Sequence, residues 1–294
     1  MNLSVIIPAF NEEQSIVSTV ERVRDTLCRC GIDGEIIVVN DGSTDATGRL
    51  ALSTGIGVLS HEMNLGYGAS LKTGIRNASS DMIAIIDADG TYPVDRLPDL
   101  LNAMPGAEMV VGSRTGGTVR IPFARRPAKW VLNKLANRLT GTRIPDLNSG
   151  LRVFTRSLAL RYLNLLPDGF SFTTTITVAS LCDGITVRFI PIDYHTREGS
   201  SKIRPGHFPN FLMLVFRLAV LFRPLKVFLP ASMTLFVLGL FKLALDFVIA
   251  VGKVGFTPDL ASYPVISTTT VIFLVSSLQV LLVGMVAEAL AVRR

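Results

Sequence analysis

Cysteine is scarce in this chain. Cys28, Cys30 and Cys182 are the three present among 294 residues, too few and too scattered for a disulfide framework, which agrees with a reducing compartment. A basic leader is lacking as well: the apolar run in Met1–Ile7 is short and has no positive flank, so no cleavable signal is expected there. A P-loop is excluded too. Asn64-Leu65-Gly66-Tyr67-Gly68-Ala69-Ser70-Leu71-Lys72-Thr73 ends in Lys-Thr, but Leu71 stands where that motif needs glycine, and the stretch does not follow the first strand. Its glycines either let backbone N–H groups approach a phosphate or make a plain loop-to-helix turn. Long charge-poor runs are missing up to about Arg204, and beyond it they dominate.

Val227–Val251 and Val265–Val292 each exceed the ~20 apolar residues that cross a bilayer core. Their all-round hydrophobicity predicts a transmembrane hairpin joined by Gly252–Pro264, because two buried core helices would need a much larger soluble surface to cover them. Within the first span, Lys242 and Asp246 fall four residues apart and can pair. Arg217, Arg223 and Lys226 precede the first span and Arg293 and Arg294 follow the second, whereas the link carries only Lys253. This bias predicts both termini and the soluble part on the cytoplasmic side. Three regions are therefore expected: a soluble α/β domain over 1–204, an interfacial segment over 205–226, and the hairpin over 227–294. The formal net charge of +6 then fits anionic lipid or phosphate as partner, with no nucleic acid.

The soluble part reads as alternating strands and helices. Leu3–Pro8 is strand-like, and Asn11 to Gln14 has capping-box spacing ahead of a helix face of Ile16, Val20, Val23 and Leu27. Glu35–Asn40 is a second strand, and Asp41-Gly42-Ser43-Thr44-Asp45 turns into a second helix. Met82–Ile86 is an apolar run of the kind buried on both faces of a largely parallel sheet, and it ends at Asp87. Ligands of open α/β sheets bind beyond such strand ends. Asp87 and Asp89 there either hold a divalent metal with a diphosphate or form a solvated Asp-Gly turn. Asp41 either accepts hydrogen bonds from a base or ribose or serves as a turn carboxylate.

Taken in order, Pro8-Ala9-Phe10-Asn11-Glu12-Glu13, Asp41-Gly42-Ser43-Thr44-Asp45, Asn64-Leu65-Gly66-Tyr67-Gly68 and Asp87-Ala88-Asp89-Gly90 resemble family-2 glycosyltransferases of the GT-A fold. Val111-Gly112-Ser113-Arg114, Asp146-Leu147-Asn148-Ser149-Gly150-Leu151-Arg152, Phe170-Ser171-Phe172-Thr173-Thr174 and His195–Lys202 look like the dolichol-phosphate mannose synthase branch, which moves a sugar onto a polyprenyl phosphate. The resemblance implies an α/β, Rossmann-like GT-A domain with a membrane anchor. It places Asp41 at the nucleotide base with Pro8, Phe10 and Glu12 nearby. Asp87 and Asp89 go to Mg²⁺ or Mn²⁺ and the donor diphosphate, and Arg114, Arg197 and Lys202 to the phosphates. Many relatives carry a Gln after the two aspartates that also touches the metal. Here that position is Thr91, whose hydroxyl can bind directly or through water.

Transfer to a phosphate needs no protein base. A phosphate monoester with a second pKa near 6 is mostly deprotonated at neutral pH, so its oxygen is already nucleophilic. Bringing that anion to a donor diphosphate requires positive charge instead. Arg114, Arg197 and Lys202 are the main candidates; Arg125, Arg126 and Arg152 are further candidates for the acceptor phosphate. For Arg204 and the Arg125–Arg126 pair, a juxtamembrane patch that attracts anionic lipid is the favoured reading. His195 is expected to orient its loop. Arg126–Leu139 either lies at the membrane surface or packs on the core, and Phe208–Phe222 runs into the first span. Two rivals remain: a processive polysaccharide synthase, disfavoured by the missing Gln-X-X-Arg-Trp motif, and a scaffold that binds nucleotide-sugar without turnover. The hairpin either anchors only or also supports a homo-oligomer.

Overall fold

A computed structural model describes residues 2–116, 133–134, 136–169, 171–195, 213, 216, 219–255 and 265–292. The chain divides into two units, Met1–Val215 and Phe216–Arg294. Most of the expected interfacial segment 205–226 lies outside the described residues.

The first unit is built on one seven-stranded sheet. Its strands are β1 (Asn2–Ala9), β2 (Asp33–Asn40), β3 (Gly57–Ser60), β4 (Met82–Ile85), β5 (Met109–Ser113), β6 (Arg152–Thr155) and β7 (Val187–Pro191), in the order β3-β2-β1-β4-β6-β5-β7. β1 is central in its half, paired in parallel with β2 on one side and β4 on the other. Both of its faces are covered, which is why every residue from Leu3 to Ala9 is buried. The expected largely parallel sheet has one reversal: β6 runs antiparallel to both β4 and β5. That reversal brings the start of β6 to the edge where β4 and β5 end.

Helices α1 (Ile16–Arg29), α2 (Thr47–Ser53), α3 (Tyr67–Asn77), α4 (Leu97–Asn102), α5 (Arg156–Tyr162) and α6 (Phe172–Cys182) accompany the sheet. The face predicted for α1 is the one it buries: Ile16, Val20, Val23 and Leu27 are at most 5% exposed, each contributing about 1.5–3 kcal/mol. Its start differs from the capping-box expectation. Asn11 adopts φ 51°, a left-handed conformation that a helix cannot contain, and α1 begins only after Ser15. Asn11 is used instead to join two loops: its Oδ1 accepts from Thr44 N at 2.8 Å, and its N–H donates to Ser43 Oγ at 3.0 Å. Of the segment 126–139, Ala136 and Leu139 are described and buried. Cys28 and Cys30 are exposed, Cys182 is buried, and the three form no disulfide with one another.

Glu35 ties the β1–β2 pair to the turn before β4. Its Oε1 accepts from Ser4 Oγ at 2.5 Å, Ser79 N at 2.7 Å and Ser79 Oγ at 2.7 Å. Partial burial works against the carboxylate's charge, but the Ser4 and Ser79 hydrogen bonds outweigh it and lower its pKa below the usual 4.5. A depressed folded-state pKa means stability that is fully present above the unfolded value and lost as pH falls through the folded one. Glu35→Gln is therefore expected to flatten the acid side of the unfolding profile. Thermal midpoints of the detergent-solubilised chain from about pH 6 down to about pH 3 test this, and parallel profiles for the two proteins would refute it.

The second unit is a helical hairpin of α7 (Leu225–Val254) and α8 (Thr268–Val292), both long and apolar enough to cross a membrane. Small residues let them approach: a Cβ on Gly239 would lie 2.7 Å from Leu274 Cδ2, and one on Gly284 2.6 Å from Phe228 Cβ. The predicted Lys242–Asp246 ion pair is present. Asp246 Oδ2 also accepts from Ser267 N at 3.1 Å, Ser267 Oγ at 2.6 Å and Thr270 Oγ1 at 2.5 Å, which satisfies donors at the start of α8. Pro230 sits near the start of α7, where little preceding helix must be broken.

Candidate active site

Strands β1, β2, β4, β5 and β7 all end at one edge of the sheet, and the reversed β6 begins there. The polar groups that follow or precede them therefore converge on a cavity of about 340 Å³, lined by Pro8, Phe10, Glu12, Asp41, Asp87, Asp89 and Arg114 among others. The loops after β1 and β2 are fastened together by the Asn11 bonds and by Glu12 N to Thr47 Oγ1 at 2.8 Å. Asp41 is 3% exposed and is held by three donors. Its Oδ1 accepts from Leu65 N at 2.9 Å and lies 2.7 Å from His61 Nδ1; its Oδ2 accepts from Gly66 N at 2.8 Å.

The Asn64–Gly68 stretch thus resolves as a loop-to-helix turn with a second duty. Gly66 has φ 107°, and its N–H is engaged by Asp41. A Cβ at Gly66 would lie 2.5 Å from Asp168 O, and one at Gly68 would lie 2.0 Å from Pro167 O. Both glycines are required by close packing on that backbone. Lys72 pairs with Asp168 at 2.8 Å.

Asp87 sits in a tailored setting. Tyr67 Oη donates to its Oδ1 at 2.8 Å, and the backbone of Gly150 comes so close that a Cβ there would fall 2.3 Å from Oδ2. Gly150 N–H in turn donates to Tyr92 Oη at 2.6 Å. Burial, followed by the neighbouring Asp87 carboxylate, raises the Tyr67 pKa, so its phenol remains a donor at neutral pH. Asp89 is 7% exposed, and its Oδ1 accepts from Thr91 N at 3.2 Å and Thr91 Oγ1 at 2.6 Å. Thr91 is the residue expected beside Asp87 and Asp89 at the metal. Thr91 is fully buried, does not line the cavity, and donates its hydroxyl to Asp89, so it fixes that carboxylate's orientation.

Arg114 faces the cavity with its fork closed on Asp146. Nε donates to Oδ2 at 2.7 Å and Nη2 to Oδ1 at 2.9 Å, while the backbone N–H adds a bond to Oδ2 at 3.0 Å. Its Cζ lies 5.3 Å from the centre of the Tyr194 ring, which meets Tyr92 edge-on. Burial works against the charge of Arg114, but Tyr92 and Asp146 outweigh it and raise its pKa, so the guanidinium stays charged. Arg152 is enclosed by protein. Expected near the acceptor phosphate, it is wholly buried and absent from the cavity wall. Its Nη2 and Nε donate to Ser149 O at 2.6 and 3.1 Å, and its Nη1 to Thr173 O at 3.1 Å and Thr177 Oγ1 at 3.0 Å. Burial lowers its pKa to about 10, which leaves it a cation at neutral pH that braces the loop before β6.

His195 is exposed and ties its backbone N–H to Thr91 O at 2.9 Å. Arg125, Arg126, Arg197, Lys202 and Arg204 lie outside the described residues. Sequence reasoning assigned no role to Tyr67, Tyr92, Tyr194, His61, Asp146 or Gly150. Tyr67, Asp146 and Gly150 stood inside quoted motifs, and Tyr92 lies three residues after Asp89. His61 and Tyr194 had no local signal.

A mixed sheet of this order, with acidic loops at the parallel strand ends and a helical hairpin, is the GT-A-like architecture of a membrane glycosyltransferase. The chain belongs to glycosyl transferase family 2, whose profile matches residues 4–163. A second profile, the GtrB C-terminal hairpin, matches residues 223–292, and the protein is an integral membrane protein. Among its relatives, the dodecaprenyl-phosphate galacturonate synthase of Rhizobium johnstonii is 28% identical, over 99% of this chain and 88% of its own. The undecaprenyl-phosphate mannosyltransferase of Micrococcus luteus is 30% identical, over 70% of this chain and 89% of its own. Glucosyl-3-phosphoglycerate synthase from Mycobacterium tuberculosis, solved with uridine diphosphate, shares the fold at a TM-score of 0.60. It is 22% identical and covers 74% of this chain and 79% of its own.

Proposed function

We propose that this protein is an inverting glycosyltransferase that moves a sugar from a nucleotide-sugar to a polyprenyl phosphate. The observation that carries this reading is the single cavity shared by Asp41, Asp87, Asp89 and Arg114. The hairpin, and relatives named for lipid phosphates as acceptors, support the choice of acceptor. Asp41, beyond β2, receives the base, with Pro8, Phe10 and Glu12 around it. Asp87 and Asp89 offer hard oxygen donors of the kind Mg²⁺ or Mn²⁺ takes. Among the described residues no group of three or more His, Cys, Asp or Glu gathers to hold a metal, so donor phosphates and water would complete the shell. When bound, the ion supplies neutralising charge to the departing nucleoside diphosphate.

The chain's own residues provide orientation and positive charge. Tyr67 and Gly150 fix Asp87, Thr91 fixes Asp89, and Asp146 presents Arg114 to the phosphates in a set geometry. Arg197 and Lys202 add charge at the phosphates, and Arg125 and Arg126 serve the acceptor. The acceptor oxygen is already ionised, so the chain supplies no base. It attacks the anomeric carbon opposite the leaving diphosphate and inverts it. The basic residues flanking the spans support a cytoplasmic catalytic unit.

Full-length protein in sealed inside-out membrane vesicles, given labelled UDP- and GDP-sugars, polyprenyl phosphate and Mg²⁺ or Mn²⁺, tests all of this. The expected product is a lipid-phosphate sugar of inverted anomeric configuration, formed without permeabilisation and lost with a chelator. Growth of a sugar polymer, or nucleotide binding with no lipid product, would overturn the reading. Product that forms only after permeabilisation would overturn the orientation alone.

A further inference from the structure

We infer that His61 is a specificity-determining positioning residue: by occupying Asp41, it leaves the carboxylate a single acceptor position and so favours uracil over guanine in the donor. The inference rests on the proposed nucleotide-sugar activity and on Asp41 as the base ligand. A carboxylate has about four lone-pair positions. On Asp41, Oδ1 is taken by Leu65 N at 2.9 Å and His61 Nδ1 at 2.7 Å, and Oδ2 by Gly66 N at 2.8 Å. One position on Oδ2 remains.

The His61 bond is itself locked. Nε2 lies 2.9 Å from Thr73 Oγ1 on α3, and the His61 N–H donates to Asn40 O at 2.9 Å, at the end of β2. A carboxylate can only accept, so Nδ1 carries the proton of the Asp41 bond, and Nε2 and the Thr73 hydroxyl hold the far side of the ring. The ring cannot swing aside without breaking this chain of bonds. The pairing edge of guanine presents two adjacent N–H donors, N1–H and the exocyclic amine, which a carboxylate receives with both oxygens. With Oδ1 filled, one of those donors finds no acceptor on Asp41. The pairing edge of uracil presents one donor, N3–H, between two carbonyls, which suits a single open position. An unsatisfied buried donor costs about 1–3 kcal/mol, or roughly fivefold to 150-fold in affinity.

The test is calorimetric titration of the full chain in detergent with UDP and with GDP, each with Mn²⁺, followed by donor kinetics of variants. UDP is expected to bind about tenfold or more tightly than GDP. His61→Leu, which removes the donor to Oδ1, is expected to narrow that ratio and to raise the donor KM more than it lowers kcat. His61→Asn, which retains a donor near the Nδ1 position, should restore the ratio in part. A merely structural role would lower thermal stability in His61→Leu while leaving the UDP-to-GDP ratio unchanged, and that result would overturn the assignment. GDP binding as tightly as UDP to the unaltered protein would overturn the base preference while leaving the glycosyltransferase reading intact. Binding of neither nucleotide would overturn that reading, and this inference with it.

Discussion

Asp89→Asn is expected to reduce sugar transfer by about a thousandfold or more while leaving the fold in place. The amide keeps the shape of the side chain, and its oxygen can still accept from the Thr91 N–H and hydroxyl that now hold Oδ1. What it removes is one negative charge at the position proposed for a divalent ion beside the donor diphosphate. Initial rates of lipid-linked product and thermal unfolding of the same preparation separate the two effects. A variant that retains a tenth of the activity would mean that Asp89 is not a metal ligand. One that unfolds many degrees earlier would make Asp89 chiefly a structural group in the turn after β4.

Gly150→Ala is expected to be nearly as damaging, although it changes no charge and no polar group. The added methyl would fall 2.3 Å from Asp87 Oδ2 and 2.5 Å from its Cγ and Oδ1, well inside van der Waals contact. The loop cannot easily retreat, because Gly150 N–H is held by Tyr92 and the Ser149 carbonyl by two donors of Arg152. The Asp87 side chain must therefore rotate away, breaking its bond from Tyr67. Displacing a reacting group by about 1 Å can cost on the order of a hundredfold in rate, and transfer should fall by at least that much. Gly57→Ala is a suitable control, since its methyl would meet only Ile36 O at 3.8 Å. Equal activities for the two variants would show that Asp87 does not depend on its glycine cradle.

The parts of this site legible in the sequence are those encoded by local runs. Val5–Pro8 and Met82–Ile86 announce buried strands by their unbroken apolarity, and the sheet's parallel half then brings Asp41 and Asp87 to one edge. The inward turn of Thr91 and Arg152 was not legible, because residue type says nothing about side-chain direction. Each is polar and next to the chemistry, yet each points into the protein and bonds to it. His61 and Tyr194 were invisible for a different reason. Their partners, Asp41 and Arg114, are 20 and 80 residues away in sequence, and only the strand order sets those distances. The reversal of β6 could not be read either. The apolar pattern of a short buried strand is the same in both directions.

That reversed strand also sets a timetable for synthesis. Asp87 leaves the ribosome with the parallel half of the sheet, but Gly150, Tyr92's partner, and the Arg152 that braces its loop emerge more than sixty residues later. At about 5–20 residues per second, the carboxylate waits on the order of 3–13 s before its cradle exists. The gap is wide enough for β1, β2 and β4 to pair first, with the slot beside β4 open until β6 enters it. Assembly of the cradle around Asp87 is thus a late, non-local event, gated by an insertion between strands already made. Until β6 enters, the unpaired edge of β4 is open to another chain's strand.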